Sequence, residues 1–205
     1  RNGAAARNTG IYHATGEYIC FLDDDDEYLS GRISESVQVL KHLDDGYAGV
    51  YCGYFGWNSP YNDATRYKPG ELRVELLMLK YEHYLHTNTA TYRKEALLKI
   101  GGFDESYRRH QDLEINLRLF DYYQLGVVPL ALVRLNPAST PVNNQLFDDE
   151  QVALKCKFLD RFSHLINALD EEERKEVYLS HLHDAFAAVR DKESLKRLFV
   201  EKYRI

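Results

Sequence analysis

The chain has 205 residues and a mass of 23.9 kDa, with 44% hydrophobic residues, 28% charged residues and a formal net charge of -6. These values are typical of a folded globular protein and exclude a largely disordered chain. The acidic balance argues against a general nucleic-acid binder, because such proteins usually carry a basic surface. No apolar run approaches the roughly 20 residues of a membrane-spanning helix. The widely separated cysteines are predicted to be reduced core thiols: Cys20, Cys52 and Cys156.

The N-terminal part of the chain alternates helical and extended patterns. Residues 4–13 combine small residues with apolar spacing and predict a short helix, and the apolar run 18–22 predicts a buried strand. Ser30 can cap a helix over residues 31–43, in which apolar residues recur at helical spacing. Residues 47–55 predict a second strand, where Gly49 and Gly53 let neighbouring elements approach closely.

An acidic run follows the first predicted strand, from Asp23 to Glu27. Adjacent carboxylates repel one another, so a folded protein keeps them together only if they are solvated, hydrogen-bonded or neutralised by a cation. Alternation along a strand would direct Asp23 and Asp25 to one side and Asp24 and Asp26 to the other. The run is therefore either a solvated acidic turn or a divalent-cation site at the carboxyl end of a strand, where open α/β sheets place their ligands.

The rest of the chain predicts one loop, six helices and one more strand. Residues 57–70 form a loop whose aromatic side chains either stack on a sugar or pack beneath the loop, namely Trp57, Tyr61 and Tyr67. Helices are predicted over residues 71–80, 94–100 and 111–123, with Gly101 and Gly102 ending the second of them. Pro129 marks the strand over residues 127–135 as an edge strand. Three helices with charged faces follow over residues 148–169, 171–189 and 192–203.

Several short segments together resemble a known family. They are RNTGI at 7–11, ATGEYI at 14–19 and FLDDDDEYL at 21–29, followed by GGFDE at 101–105, QDLE at 111–114 and LRL at 117–119. In this order they resemble the two signatures of the inverting family 2 glycosyltransferases, which have the GT-A fold. The resemblance implies an α/β fold over residues 1–146, with a Rossmann-like sheet flanked by helices, and leaves residues 147–205 as a helical C-terminal extension. The chain begins where that family has already formed its first strands, so the N-terminal, base-binding part of the fold is expected to be absent from it.

The resemblance also implies an activity. Family members move a sugar from a nucleoside diphosphate sugar to a hydroxyl acceptor with inversion at the anomeric carbon, assisted by Mn²⁺ or Mg²⁺. The expected enzyme is a hexosyltransferase of bacterial surface polysaccharide synthesis, with a UDP-sugar as the favoured donor and a glycan or lipid-linked acceptor. No nucleic-acid partner and no transmembrane segment in this chain are expected. The implied location is the cytoplasm, either free or peripheral to the inner face of the membrane.

Individual residues take roles from their positions in the two signatures. Asp25 falls on the metal ligand of the DxD motif, Asp23 on a contact to the donor sugar or ribose, and Asp112 on the catalytic base. An acid in the first turn of a helix, such as Asp112, is also favoured by the helix dipole alone. The remaining assignments are Arg7, Asn8 and Asp24 as donor-binding residues, and His86, Asn88 and Glu114 as acceptor contacts.

Two positions depart from the family pattern. Gln111 stands where Glu is common, which alters the surroundings of the base, and Asn136 stands where many members have a His that meets the metal or diphosphate. Two other interpretations stay open. One is a non-catalytic module that binds a nucleotide sugar or a glycan on the same fold, and the other is an acidic α/β domain that binds a cation for structure only.

Overall fold

The computed structural model describes residues 2–56, 71–79, 85–136, 148–186, 189 and 191–204. The aromatic loop predicted to hold Trp57, Tyr61 and Tyr67 lies outside the described residues. The chain divides into two compact units. The first contains Arg1–Leu76 and Tyr81–Pro141, and the second contains Leu77–Lys80 and Val142–Ile205. In the described part of the chain, no helix combines the length and the apolar character needed to cross a membrane.

The first unit is built on a mixed sheet of five strands, which lie in the order β1, β4, β3, β5, β2. The β3 and β5 strands are parallel, whereas the other neighbouring pairs are antiparallel. The strands in chain order are β1 (Tyr18–Cys20), β2 (Glu27–Tyr28), β3 (Tyr47–Phe55), β4 (Ala90–Arg93) and β5 (Gln124–Arg134). Because β3 and β5 are long and central, they provide the platform on which the shorter strands are aligned.

The described part of the first unit also contains five helices: α1 (Gly3–His13), α2 (Arg32–Leu40), α3 (Glu71–Leu77, whose last residue falls in the second unit), α4 (Lys94–Lys99) and α5 (Gln111–Leu119). Asn2 caps α1, because its side-chain oxygen accepts a hydrogen bond from the backbone N–H of Ala5 at 3.1 Å. The predicted cap at Ser30 is wrong. The N-cap residue of α2 is Gly31, which has a φ of 86° and makes no side-chain cap hydrogen bond.

The strand that contains Pro129 is not an edge strand, contrary to the sequence prediction. It lies between β3 and β2, but β2 pairs only with Val133 and Arg134. The pairing with β3 shifts register between Val128 and Ala131, so Pro129 falls in an irregular stretch that β2 does not reach. The missing N–H of proline is therefore accommodated inside the sheet without the loss of a regular ladder bond.

The core of the first unit lies between α2 and the two long strands. One buried cluster of this core contains Leu40, Val50, Cys52, Tyr54, Val128, Leu132 and Val133. Gly49 lets β4 approach β3 closely, as predicted, because a Cβ at this position would lie 2.3 Å from the carbonyl oxygen of Thr91. Packing therefore fixes the position of β4 and of the residues that precede it.

The second unit is helical, with α6 (Asp148–Arg161), α7 (Ser163–Asn167), α8 (Glu171–Phe186) and α9 (Lys192–Tyr203). The bounds of α9 match the prediction, whereas the first predicted helix is two helices separated at Phe162. All three cysteines of the chain are free thiols, as predicted, but only Cys52 is buried, whereas Cys20 and Cys156 are half-buried. Lys155 is fully buried and pairs with Asp184 at 2.5 Å.

A buried histidine also lies in this unit. His181 is fully buried in α8, its Nε2 lies 2.9 Å from the carbonyl oxygen of Leu77, and its ring packs on Phe158 with 5.0 Å between centroids. Burial lowers the pKa of His181 from 6.5 to about 3, and the neighbouring Lys155 ammonium acts in the same direction. His181 is therefore neutral in the folded unit at mildly acidic pH.

We expect His181 to make the protein acid-labile below pH 6.5. In that range the unfolded chain binds a proton at His181 that the folded chain does not, so the free energy of unfolding falls by ~1.4 kcal/mol per pH unit until the pH approaches about 3. A His181→Gln variant should lose about 2 kcal/mol less than the unsubstituted protein between pH 7.5 and pH 5. Urea unfolding at both pH values measures this difference. The matched control is the exposed His164→Gln, and equal losses in the unsubstituted protein and in His181→Gln would contradict the expectation.

Candidate active site

The acidic run forms a tight turn. The β1 strand ends at Cys20, and the backbone N–H of Asp26 donates to the carbonyl of Asp23 at 3.2 Å. Asp24 and Asp25 therefore occupy the central positions of the turn. The predicted alternation is wrong for this reason: the run is not extended, and Asp23 and Asp26 converge on the same place.

Asn88 lies between these two aspartates. Its side-chain oxygen accepts from the backbone N–H of Asp23 at 3.2 Å, and its Nδ2 donates to Oδ2 of Asp26. Asn136, just beyond the end of β5, supports the turn, because its backbone N–H donates to Oδ1 of Asp26 and its Nδ2 donates to the carbonyl of Asp25, both at 2.9 Å. Asn88 is fully buried, so its amide is committed to these contacts.

Asp23, Asp26 and His86 form a group that could hold a metal ion. One ligand atom from each lies within 4.8 Å of the others, and all three residues are half-buried. Carboxylate oxygens suit Mg²⁺ and Mn²⁺, so the two aspartates fit such an ion. The fit of His86 is conditional. Its Nδ1 accepts from the backbone N–H of Asn88 at 3.3 Å, so a neutral ring carries its proton on Nε2 and must give up this bond to become a ligand.

The surroundings of Asp26 disfavour its ionised form, which a bound cation would stabilise. Burial raises the pKa of Asp26, and the adjacent Asp25 carboxylate raises it further, while the hydrogen bond from Asn136 acts in the opposite direction. A nearby cation would relieve the cost of ionising this group. The assignment of the metal to Asp25 stays a prediction, since the group of possible ligands contains Asp23 and Asp26 instead.

Arg7 connects the two predicted signatures. Its Nη2 donates to Oδ1 of Asp23 at 2.9 Å, and its Nη1 donates to Oε1 of Gln111 at 3.0 Å. Gln111 in turn donates to the carbonyl of Tyr107 at 2.8 Å. One guanidinium thus links the acidic turn to the start of α5, and its side chain keeps 20% exposure.

Asn8 makes hydrogen bonds that connect two parts of the fold. It is buried, its Nδ2 donates to the carbonyl of Phe103 at 2.9 Å and to Oε1 of Glu105 at 3.0 Å, and its Oδ1 accepts from the N–H of Phe103 at 2.8 Å. These bonds fasten α1 to the loop after Gly102. Gly102 has a φ of 72°, and a Cβ there would lie 2.5 Å from Oδ1 of Asn8.

The predicted base, Asp112, is half-buried in the first turn of α5, next to the Gln111 that Arg7 contacts. Its Oδ1 accepts from the backbone N–H of Leu113 at 3.0 Å. Glu114 has a different environment. It is fully buried and pairs with Arg118 at 2.5 Å, and Arg118 also donates to the carbonyl oxygens of Ile100 and Gly102. Acceptor contacts by Glu114, His86 and Asn88 stay predictions.

Comparison with known proteins relates the chain to glycosyltransferases. Residues 1–101 match the family model described as Glycosyl transferase family 2. This match covers just under half of the chain. Over 124 residues, the chain is 33% identical to the amylovoran biosynthesis glycosyltransferase AmsB of Erwinia amylovora, which corresponds to 57% of this chain and 40% of that protein. The chain spans about half the length of the curated relatives it matches.

Two solved glycosyltransferase structures have the same fold. Residues 1–349 of S. aureus TarS match 99% of this chain with a TM-score of 0.56 and 14% identity, and the match covers 71% of that chain. The mannosyltransferase PcManGT from Pyrobaculum calidifontis, in complex with GDP-Man and Mn²⁺, matches 92% of this chain with a TM-score of 0.53 and 18% identity, and the match covers 53% of that chain. The predicted GT-A fold is confirmed.

We expect Asn8→Ala to destabilise the glycosyltransferase fold. The substitution leaves the buried N–H and carbonyl of Phe103 without their side-chain partner, at a cost of about 3 kcal/mol in the free energy of unfolding. Chemical denaturation measures the change. The control is Thr9→Ala on the same helix, where the exposed hydroxyl donates to the carbonyl of Ala5, so a change within about 0.5 kcal/mol is expected. Equal effects of the two substitutions would show that the Asn8 contacts contribute little.

Proposed function

We propose that the chain is part of an inverting, metal-assisted hexosyltransferase that transfers a sugar from a nucleoside diphosphate sugar to a hydroxyl acceptor in bacterial polysaccharide synthesis. The observation that carries the proposal is the double contact of Arg7, which brings Asp23 of the acidic turn and Gln111 beside Asp112 together. The family match and the relation to AmsB, a glycosyltransferase of amylovoran biosynthesis, support the reaction class and the process.

The donor diphosphate is proposed to bind beside Arg7 and Asp23, with Asn8 and Asp24 assigned to donor binding by the resemblance alone. A guanidinium presents several N–H donors in one plane, which suits phosphate oxygens. Arg7 has only one carboxylate among its hydrogen-bond partners in the described part of the chain, because its second partner, Gln111, is neutral. It therefore keeps positive charge to offer to an anionic donor. A UDP-sugar is the first donor to test, and GDP-mannose is the second because PcManGT was solved with it.

A divalent cation, Mn²⁺ or Mg²⁺, is proposed at the acidic turn. Asp23 and Asp26 would hold it, with His86 as a conditional ligand and Asp25 as the ligand that the family pattern implies. Such an ion stabilises the negative charge that develops on a departing diphosphate. The amides of Asn88 and Asn136 keep the two aspartates in place, which lowers the reorganisation that binding would require.

Asp112 is proposed as the general base. Its carboxylate would accept the proton of the acceptor hydroxyl while that oxygen attacks the anomeric carbon on the face opposite the diphosphate, so that a single displacement inverts the configuration. Its position after Gln111 is fixed indirectly by Arg7, which also contacts the turn where the donor is proposed to bind. The reaction is proposed to take place in the cytoplasm, free or peripheral to the inner face of the membrane.

We expect Asp112→Asn to abolish transfer and to preserve donor binding. The asparagine cannot accept the proton, and loss of a general base costs ~10²- to 10⁴-fold in rate. The measurement is release of the nucleoside diphosphate from a panel of nucleotide sugars by the full-length protein, with and without Mn²⁺, together with the affinity for the diphosphate. The control is Asp121→Asn, an exposed carboxylate just beyond the end of α5.

Each result has a distinct meaning. Metal-dependent release that Asp112→Asn loses and Asp121→Asn keeps supports the transferase. Undiminished release by Asp112→Asn would show that another group accepts the proton. Binding of a nucleotide sugar by a folded protein that releases no diphosphate would favour the non-catalytic binding module.

A further inference from the structure

A buried arginine lies behind the acidic turn. Arg32, the first residue of α2, is 1% exposed, and its guanidinium packs over the ring of Tyr28 at 5.0 Å. It donates to Ser36 Oγ at 2.5 Å and Thr91 Oγ1 at 2.8 Å, and to the carbonyl oxygens of Asn88 at 3.2 Å and Ala90 at 2.9 Å. Among the described residues it forms no salt bridge, and its Nε has no hydrogen-bond partner.

The burial of the Arg32 guanidinium costs free energy, which suggests that the residue has a specific role. A guanidinium removed from water without a carboxylate partner is expensive to keep, and a helix does not need an arginine at its first residue. Two of the four acceptors are main-chain carbonyls on either side of Thr89, where a 3-10 turn over Thr87–Thr89 leads into β4. Arg32 therefore fixes the conformation of the main chain at Asn88.

Asn88 contacts every member of the candidate metal group. Its side-chain oxygen accepts from the N–H of Asp23, its Nδ2 donates to Asp26, and its backbone N–H donates to Nδ1 of His86. A shift or rotation of this one residue would change the separation of the two aspartates and the orientation of the imidazole. A single residue thus sets the geometry of three ligand candidates.

We propose that Arg32 is a positioning residue for the cation site and acts through Asn88. The inference rests on the proposed function, because it concerns the cation that the transferase would use. It replaces the acceptor contact that the sequence suggested for Asn88 with a role as a bracket between the aspartates. Arg32 itself touches neither donor nor acceptor in this proposal.

The direction of the change in cation affinity on removal of Arg32 distinguishes a positioning role from a purely electrostatic one. Arg32 is a buried positive charge near a site for a positive ion, so its removal should tighten cation binding if electrostatics alone mattered. If Arg32 instead holds the ligand geometry, its removal should weaken binding. Loss of an outer-shell partner typically costs 10- to 100-fold in metal affinity.

The experiment is a Mn²⁺ titration of the full-length protein, with and without UDP, in which free Mn²⁺ is followed by electron paramagnetic resonance against a protein-free blank. Arg32→Met and Arg32→Lys are expected to weaken Mn²⁺ binding by about tenfold or more, since lysine keeps the charge but not the planar set of donors. The matched control is Arg93→Met, which removes an arginine of β4 that donates to three main-chain carbonyls, those of Tyr47, Leu40 and Leu43. It should leave Mn²⁺ affinity within about twofold.

The outcomes are decisive in each direction. Unchanged or tighter Mn²⁺ binding by folded Arg32→Met would overturn the proposal, and so would an equal loss in Arg93→Met. If circular dichroism shows that the Arg32 variants are unfolded, Asn88→Ala tests the bracket directly and should show the same tenfold loss. If the unsubstituted protein binds Mn²⁺ in neither condition, both the inference and the metal-assisted reaction fail. Mn²⁺ binding without transfer of any sugar would instead reject the proposed function alone.

Discussion

Repulsion among the carboxylates after β1 is the constraint that the first unit is arranged to relieve. A tight turn brings Asp23 and Asp26 together and places Asp24 and Asp25 at its central positions. N–H groups of Asn88 and Asn136 donate to the two carboxylate oxygens of Asp26, and Arg7 neutralises part of the charge at Asp23. The sheet brings these partners together, because Asn88 lies just before the start of β4 and Asn136 lies just beyond the end of β5.

The sequence predicted the elements better than their contacts. Apolar periodicity located α1, β3 and α9, because burial of one face is a local and repeated signal. The predicted cap at Ser30 was wrong because Gly31, with its left-handed backbone, begins α2 instead. The predicted edge position of Pro129 was wrong because it depends on the register of strand pairing. Apolar periodicity reports neither feature. Spacing in the chain also could not show that Asp23 meets Asp26, because a turn brings i and i+3 together where a strand would separate them.

The positions of some candidate site residues could be anticipated, but their roles could not be tested. The resemblance named Arg7 and Asp23 for donor binding and His86 as an acceptor contact, and all three lie at or beside the acidic turn. Their roles stay predictions. Arg32 was not singled out, although a charged residue at the start of an amphipathic helix that is nevertheless buried is a signal visible only once packing is known. Buried polar side chains that organise others make few direct contacts with a ligand, so their residue type carries little information before the fold is known.

The two departures from the family pattern act in a consistent way on the charge of the site. Gln111 accepts from Arg7 without neutralising it, and Asn136 supplies N–H donors to the turn where a histidine would supply a metal ligand. The first leaves positive charge beside the proposed diphosphate position, and the second leaves cation binding to the aspartates themselves. A site built this way depends more on the separation of Asp23 and Asp26 than one with an additional imidazole. That dependence is the physical reason why the bracket formed by Asn88, and the buried arginine behind it, would matter more here.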